Sequence, residues 1–259
     1  MDLFSQIGYL LSNYGDFFLK GLATTVILAL VGTGVGLFLG TFLAFGERIK
    51  IKNDAKGLDK AWRYLVKGLC HAYSIIIRGT PMMVQAMIFK YGFQAMGVNW
   101  NLILPGVDVF DGWTIAGLIV ISLNTTAYMC EDVNSGLNGI DKGQIEGARS
   151  LGMSRFQTNM FIALPQALRN SLPTIGNELI INIKDSSVLN VIGVSELYFM
   201  SSAAANKGYM TIASYIIVAI IYLLLTLLST GALKLIERKL DGKEFHFSYF
   251  RNRQKGVNA

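Results

Sequence analysis

The chain has 259 residues, of which 52% are hydrophobic and only 15% are charged, and its formal net charge is +6. This composition is too apolar for an ordinary soluble domain, and the charges lie in blocks between long apolar runs, as in a polytopic membrane protein. Basic loops that set membrane orientation explain the positive charge, which argues against nucleic-acid binding. The cysteines (Cys70, Cys130) and histidines (His71, His246) form no metal-ligand or disulfide pattern, so we expect no metal site.

The first part of the chain predicts an interfacial segment followed by a membrane span. Residues 1–20 mix aromatic and polar side chains, which is typical of an external segment at headgroup level. No basic stretch precedes the first apolar run, so we expect no cleavable signal peptide there. Residues 21–46 carry no charge and are long enough for a first span. Gly32, Gly36 and Gly40 recur every four residues and predict close packing against another helix.

The next loop fixes the orientation. Residues 47–67 hold seven Lys and Arg against three acidic residues, which predicts a cytoplasmic loop and an external N-terminus. Pro81 fits the first position of a helix, and a second span is predicted over residues 80–97. Lys90 in this span has two interpretations. It either extends its ammonium to the outer interface or lines a polar cavity.

Two further spans carry polar side chains. Residues 93–112 contain no Lys or Arg and predict an external loop, and the third span covers residues 113–134. The fourth span, residues 172–192, is unusually polar, and polar groups in a span face protein or water rather than lipid. We therefore hypothesise a translocation pathway, the alternative being a structural network of lysine and carboxylates. The tentative pathway residues are Lys90, Asn124, Glu178, Asn182, Lys184 and Asp185.

A fifth span over residues 209–233 is followed by a basic segment, which predicts a cytoplasmic C-terminus. Five spans then satisfy every charge block. The domain organisation that we expect is an external segment (1–20), a membrane domain (21–240) and a basic cytoplasmic tail (241–259). Arg78 and Glu131 are both predicted near the inner face, where they could pair as a gate or brace.

A polar and basic segment between the third and fourth spans predicts a cytoplasmic helical hairpin. Asp141 is an N-cap with Gln144 three residues on, and Gly152 can take the left-handed conformation that ends the first helix. Ser154 and Gln157 form a second capping box. Pro165 is expected to limit the second helix.

This segment closely resembles the EAA loop of binding-protein-dependent ATP-binding-cassette (ABC) importer permeases. The motif reads EAA, three residues, Gly, nine residues and Ile-x-Leu-Pro, and here it is Glu146-Gly147-Ala148, Gly152 and Ile162-Ala163-Leu164-Pro165. Only Gly147 departs from the motif. Other segments are similar to the polar amino acid (His/Gln/Glu/Arg-type) branch, among them Arg78-Gly79-Thr80-Pro81 and Asn177-Glu178 with Lys184-Asp185. Asn134 stands where that branch usually has Arg, and Lys90 where it has an apolar or aromatic residue.

The resemblance implies an all-α polytopic membrane protein of the MetI-like fold in the bacterial cytoplasmic membrane. Its implied function is the pore-forming subunit of an ATP-driven importer of a polar amino acid. The implied partners are a second permease, identical or different, two ATPase subunits and an extracytoplasmic amino-acid-binding protein. The chain has no GxxxxGK[ST] sequence, so we expect a transport subunit that is no enzyme and binds no cofactor, with ATP and Mg on the partner ATPase.

The resemblance also assigns residues to ATPase coupling. They are Glu146, Gly147, Ala148, Arg149, Leu151, Gly152, Met153, Phe156, Leu164 and Pro165. Two other functions remain open from the residues alone, namely a self-contained channel or secondary transporter and a non-transporting scaffold. A channel or secondary transporter would explain the membrane fold and the polar fourth span but not the hairpin motif. A scaffold predicts no substrate-dependent stimulation of ATP hydrolysis after reconstitution.

Overall fold

A computed structural model describes residues 2–51, 57–98 and 112–241. Every regular element within these ranges is a helix, which confirms the all-helical fold class. Most of the predicted external loop (99–111) and of the basic tail (242–259) lies outside the described residues. The helices are α1 (Leu3–Glu47), α2 (Gly57–Arg78), α3 (Met82–Ala95), α4 (Gly112–Asn138), α5 (Lys142–Ser150), α6 (Arg155–Gln157), a π-helix (Thr158–Ala163), α7 (Leu164–Asn170), α8 (Leu172–Asp185), a 3-10 helix (Ser186–Ile192), α9 (Leu197–Gly208) and α10 (Thr211–Asp241).

Helices α1 and α4 form the centre of the bundle. They approach so closely that a Cβ atom built on Gly36 would lie 2.7 Å from the Thr125 side chain, and one on Gly40 would lie 2.7 Å from Met129 Cβ. A Cβ on Gly32 would be 2.9 Å from Ile121. The glycine repeat is therefore the contact face between two helices, as its spacing predicted.

The N-terminal residues, which their composition predicted as an interfacial segment, are helical, and their position relative to a membrane stays a prediction. They belong to α1, which is continuous from Leu3 apart from a kink at Tyr14 (φ −128°, ψ 17°). Leu10 and Phe18 are buried in a cluster with residues of α9 and α10. Burial of these apolar side chains stabilises the helical extension, and composition alone does not show it.

The second predicted span, residues 80–97, corresponds to a short helix. Helix α3 has 14 residues, about 21 Å at 1.5 Å per residue, which is shorter than a hydrocarbon core of about 30 Å. It follows α2 across a break at Gly79–Pro81, where Pro81 takes an extended conformation (φ −64°, ψ 136°) at the N-cap. A crossing at this place therefore needs both helices.

Three helices, α1, α4 and α10, are long and apolar enough to span a membrane by length and composition. A fourth candidate is the pair formed by Leu172–Ile192 and Leu197–Gly208, which is bent by 58°. Helix α8 and the 3-10 helix together match the predicted bounds of the fourth span. The total of five spans and the exact domain bounds stay predictions.

Candidate functional site

The hairpin begins with a capped short helix. The Asp141 carboxylate accepts a hydrogen bond from the Gly143 N–H at 2.6 Å. At the end of α5, Gly152 has φ +83°, and two N–H groups close the terminus, Gly152 to the Arg149 carbonyl (3.0 Å) and Met153 to the Ala148 carbonyl (3.2 Å). This is the Schellman arrangement, in which a left-handed glycine lets the last carbonyls find donors. The predicted helix end at Gly152 is confirmed.

The second helix begins at the predicted capping box. The Ser154 hydroxyl accepts from the Gln157 N–H (3.2 Å), and the Gln157 side chain accepts from the Ser154 N–H (2.8 Å). The expectation that Pro165 limits this helix is wrong, because the helical path continues to Asn170. The π-helix directly before α7 widens the turn ahead of the proline, and so accommodates a ring that would clash with an α-helical carbonyl four residues earlier.

The hairpin buries one side and leaves the other open. Ala148, Thr158 and Ala163 are buried, whereas Leu151 is 86% exposed and Phe156 68% exposed. Glu146 and Arg149 are exposed as well. A Cβ on Gly147 would meet no atom within 4 Å. The coupling residues expected from the resemblance therefore include an apolar and charged surface that this chain leaves uncovered.

Hydrogen bonds and close packing join the base of the hairpin to the membrane bundle. The Ser171 hydroxyl donates to the Asp132 carbonyl (2.6 Å), and the Asn170 amide donates to the Gly136 carbonyl (3.3 Å). Gly136 packs so tightly against Ala167 and Ser171 that no Cβ would fit there. These contacts connect α7 and Ser171 with the C-terminal end of α4.

A second feature is a polar cavity of about 410 Å³ within the bundle. Its lining includes four of the six tentative pathway residues, namely Asn124, Glu178, Asn182 and Asp185. Arg78 and Tyr128 also line it, and the remaining wall comes from Gly79, Thr80, Pro81, Met82 and Ile181. The lining therefore carries two carboxylates and one guanidinium, with amide and hydroxyl groups between them. Such a set can bind both charged groups of an amino acid.

Arg78 connects this cavity to the inner end of α4. Its Nη1 atom lies 2.6 Å from Glu131 Oε2. The side chains are 40% and 63% exposed, so water screens the pair and its contribution to stability is small. The two residues expected to pair are thus in contact, while their role as a gate or brace stays a prediction.

Gln85 holds the break between α2 and α3. Its side-chain amide donates to the carbonyls of Ile77 (2.8 Å) and Thr80 (3.0 Å), and its oxygen accepts from the Asn124 amide at 3.0 Å. Because Pro81 has no N–H to donate to the Ile77 carbonyl four residues earlier, that carbonyl needs a side-chain partner. Our assignment of pathway residues did not include Gln85. The sequence feature that could have indicated this role is the position of Gln85, a polar residue four positions after the proline at the break.

Asn182 is hydrogen-bonded on both sides of its amide. It is 3% exposed, accepts from the Thr125 hydroxyl at 3.1 Å and donates to the Thr33 hydroxyl at 2.9 Å. These bonds join α1, α4 and α8 in the bundle interior. Asn182 therefore braces three helices as well as contributing to the cavity wall. Nothing in the spacing of Thr33 indicated this role.

Two lysines assigned to the pathway lie elsewhere. Lys90 Nζ donates to the Ile192 carbonyl (3.2 Å) and lies 4.5 Å from the centre of the Trp113 ring. It therefore caps the 3-10 helix and makes a cation–π contact. Lys184 is exposed. Neither residue lines the polar cavity, so their assignment to the pathway stays a prediction.

A cluster of polar side chains joins the C-terminal parts of α1, α2 and α4. The Glu47 carboxylate accepts from the Ser74 hydroxyl (2.9 Å) and the Asn134 amide (2.8 Å). Arg48 donates to the Asn134 side chain at 2.7 Å and to the Asn134 carbonyl at 3.0 Å, and it also bonds Asn138. The resemblance leads one to expect Arg at position 134. Asn134 stands there instead, and the guanidinium that contacts it belongs to Arg48, which directly follows α1.

Comparison with known proteins gives a consistent result. A family model described as "Binding-protein-dependent transport system inner membrane component" matches residues 60–242. The arginine transport system permease protein ArtQ of Bacillus subtilis is 33% identical over 228 residues, covering 88% of this chain and 94% of ArtQ. The glutamine transport system permease protein GlnP of Escherichia coli K12 is 29% identical over 222 residues, covering 86% of this chain and 92% of GlnP.

Solved structures agree. The crystal structure of an amino acid ABC transporter with histidines superposes with a TM-score of 0.74 at 30% identity, covering 92% of this chain and 99% of the other. An inward-facing MetNI methionine ABC transporter superposes with a TM-score of 0.62 at 19% identity, covering 87% and 95%. This second likeness concerns the fold alone. The predicted MetI-like fold is confirmed.

Proposed function

Since the chain belongs to the family of binding-protein-dependent inner membrane transport components, we propose that it is the pore-forming permease of an ATP-driven importer of a polar amino acid. It is a multi-pass protein of the cytoplasmic membrane, and its relatives are transport components of ABC importers rather than enzymes. The names of two relatives, an arginine and a glutamine permease, support this substrate class.

The observation that carries the proposal is the uncovered face of the hairpin. Capping hydrogen bonds within the hairpin fix its backbone, yet the Leu151 and Phe156 side chains remain largely exposed, as do Glu146 and Arg149. Apolar side chains in an exposed patch with charges at its rim are typical of a protein interface. We assign this face to docking on the ATPase, with Gly147 allowing a close backbone approach.

In this mechanism the ATPase pair moves the hairpin as a rigid body when it closes on ATP. The motion reaches the end of α4 through Ser171 and Gly136, and α8 follows directly after α7. Because α4 and α8 both line the polar cavity, their displacement changes the side to which the cavity opens. ATP and Mg bind to the partner ATPase, and this chain contributes no cofactor ligand.

The polar cavity takes the substrate. Glu178 and Asp185 are placed to attract an ammonium group. The Arg78 guanidinium can donate hydrogen bonds to the substrate carboxylate, as it does to the carboxylate of Glu131. A second permease copy, identical or related, two ATPase subunits and an extracytoplasmic amino-acid-binding protein complete the importer.

The test is reconstitution of the chain with its ATPase and binding protein in lipid vesicles, with ATP hydrolysis measured for each amino acid. We expect at least one polar amino acid to stimulate hydrolysis, and Glu146→Lys to abolish the stimulation. Asp16→Lys is the matched control, because it reverses the charge of an exposed residue far from the hairpin. Uptake that persists without ATPase, or equal stimulation in both variants, would overturn the proposal.

A further inference from the structure

A separate cavity lies beside the hairpin at the cytoplasmic side. It has a volume of about 390 Å³ and lies between the hairpin and the inner ends of α1, α2 and α4. Five cationic side chains line it, namely Arg48, Lys50, Arg63, Arg149 and Arg155. Among the described residues that line it, none is acidic. None of these five residues lines the polar cavity assigned to the substrate, in which Arg78 supplies the cation.

Most of this positive charge is uncompensated. Arg63 pairs with Asp59 at 2.9 Å, and Arg48 binds the side chains of Asn134 and Asn138 and interacts with the nearby Glu47 carboxylate, which leaves three of the five cations without a counter-ion. For Lys50, Arg149 and Arg155, residues 2–51, 57–98 and 112–241 supply no ion pair and no side-chain hydrogen bond. Like charges that converge without a counter-ion repel one another, so an anion bound between them would be stabilising.

Exposed apolar side chains in the first part of α2 favour a position of the neighbouring cavity at the membrane surface. Leu58, Trp62, Leu65 and Leu69 recur at helical spacing and are all exposed. Trp62 is 64% exposed and Tyr64 is 56% exposed, and such aromatic side chains favour the headgroup level. Arg63, which lines the cavity, lies between these two aromatic residues. An amphipathic segment such as the first part of α2 (57–69) favours the interface, with its cations near lipid headgroups, and the rest of α2 remains available for the crossing together with α3.

We propose that this basic cavity binds a phosphate group, supplied by the headgroup of an anionic phospholipid of the inner leaflet. The cavity walls come from two parts of the molecule, the bundle (Lys50, three residues after α1 ends) and the hairpin (Arg149 and Arg155). A phosphate bound between them connects the hairpin to the membrane surface. A soluble phosphate has the same chemistry and is distinguished from the lipid by the experiment.

The experiment compares lipid binding to the purified full-length chain by native mass spectrometry. Phosphatidylglycerol and phosphatidylcholine are titrated separately, and pyrophosphate is then added as a soluble competitor. The test variant is Lys50→Gln with Arg155→Gln, two residues with no partner in the described part of the chain. The control is Lys234→Gln with Lys239→Gln, which removes two exposed cations from the end of α10. Circular dichroism verifies that each variant is folded.

We expect the chain to bind phosphatidylglycerol about tenfold more tightly than phosphatidylcholine, because cations near a membrane surface each add to the attraction for anionic lipid. The test variant loses this preference, and the control keeps it within about twofold.

A different outcome would separate the phosphate site from its lipid source. If pyrophosphate binding depends on Lys50 and Arg155 but the chain does not prefer phosphatidylglycerol over phosphatidylcholine, the phosphate site stands and its lipid source is wrong. Equal binding of both lipids without pyrophosphate binding, or equal losses in both variants, would overturn the proposal. So would weaker ATPase association of the test variant with unchanged anion binding, which would assign the cavity to a protein interface.

Discussion

The hairpin and the polar centre of the membrane bundle differ in whether their side chains find partners within this chain. In the bundle, Asn182 has hydrogen-bond partners on α1 and α4 and is almost fully buried. In the hairpin, Leu151 and Phe156 are left exposed although the backbone around them is well capped. The comparison indicates that the polar groups around Asn182 find their partners within one chain, whereas the exposed face of the hairpin fits the proposed docking on the ATPase.

The largest effect is expected from removal of the apolar hairpin side chains. We predict that Leu151→Ser with Phe156→Ser weakens ATPase association by about a hundredfold, because each large apolar side chain buried at an interface is worth roughly 1.5–3 kcal/mol. The thermal stability of the isolated chain should not change, since both side chains are exposed in it. Affinity is measured by titration of the ATPase onto the permease in nanodiscs. An unchanged affinity would contradict the assigned docking face.

The opposite pattern is expected for the bundle centre. Asn182→Ala removes the partner of the Thr33 and Thr125 hydroxyls, and a buried polar group without its partner costs about 1–3 kcal/mol. We therefore predict a lower melting temperature of the isolated chain. Asn177→Ala is the control, because Asn177 is an exposed residue of the same helix. Equal melting temperatures for the two variants would show that the network does not brace the bundle.

A smaller effect on stability is expected from the exposed ion pair. Arg78→Glu and Glu131→Arg should each lower substrate-stimulated ATP hydrolysis. The double exchange should restore it only in part, because it re-forms the charge contact but leaves the cavity without the cation proposed to bind the substrate carboxylate. The change in unfolding free energy should stay below about 1 kcal/mol, because solvent-exposed pairs are screened. Transport assays of the three variants measure the coupling. Additive losses in the double variant would exclude a role for the contact.

The smallest effect is expected at the position where the hairpin departs from the EAA motif. Gly147→Ala adds a Cβ that meets no atom of this chain and should stabilise α5 by up to about 1 kcal/mol. Slower amide exchange over residues 142–150 would show this, while ATPase coupling is retained. Loss of coupling with unchanged exchange would mean that the partner's surface requires glycine there.

Much of the hairpin could be predicted from sequence because its structure is local. The Ser154–Gln157 capping box and the left-handed Gly152 involve residues within a few positions of one another. Pro165 was the exception, since a preceding π-helix accommodates it. The motif spacing added the family, which the comparisons confirm. What the hairpin binds follows from that family and not from the local pattern.

The polar centre was harder to predict, because it depends on contacts between distant segments. Glycine spacing in α1 indicated close packing but not that α4 is its partner. Sequence polarity predicted that Glu178 and Asp185 in the fourth span face protein or water rather than lipid, and both line the cavity. It could not show that Lys90 reaches Ile192 and Trp113, a contact that depends on how α3 is positioned. For the same reason Gln85 and Thr33 were missed.

The most direct test of the account is the accessibility of the hairpin in the assembled transporter. Leu151→Cys is labelled with a water-soluble maleimide, in a background where Cys70 and Cys130 are replaced by Ser or Ala. The account predicts rapid labelling of the permease alone and at least tenfold slower labelling when the ATPase is bound. A labelling rate at Leu151→Cys that is unchanged by the ATPase would contradict the claim that this face is the docking surface.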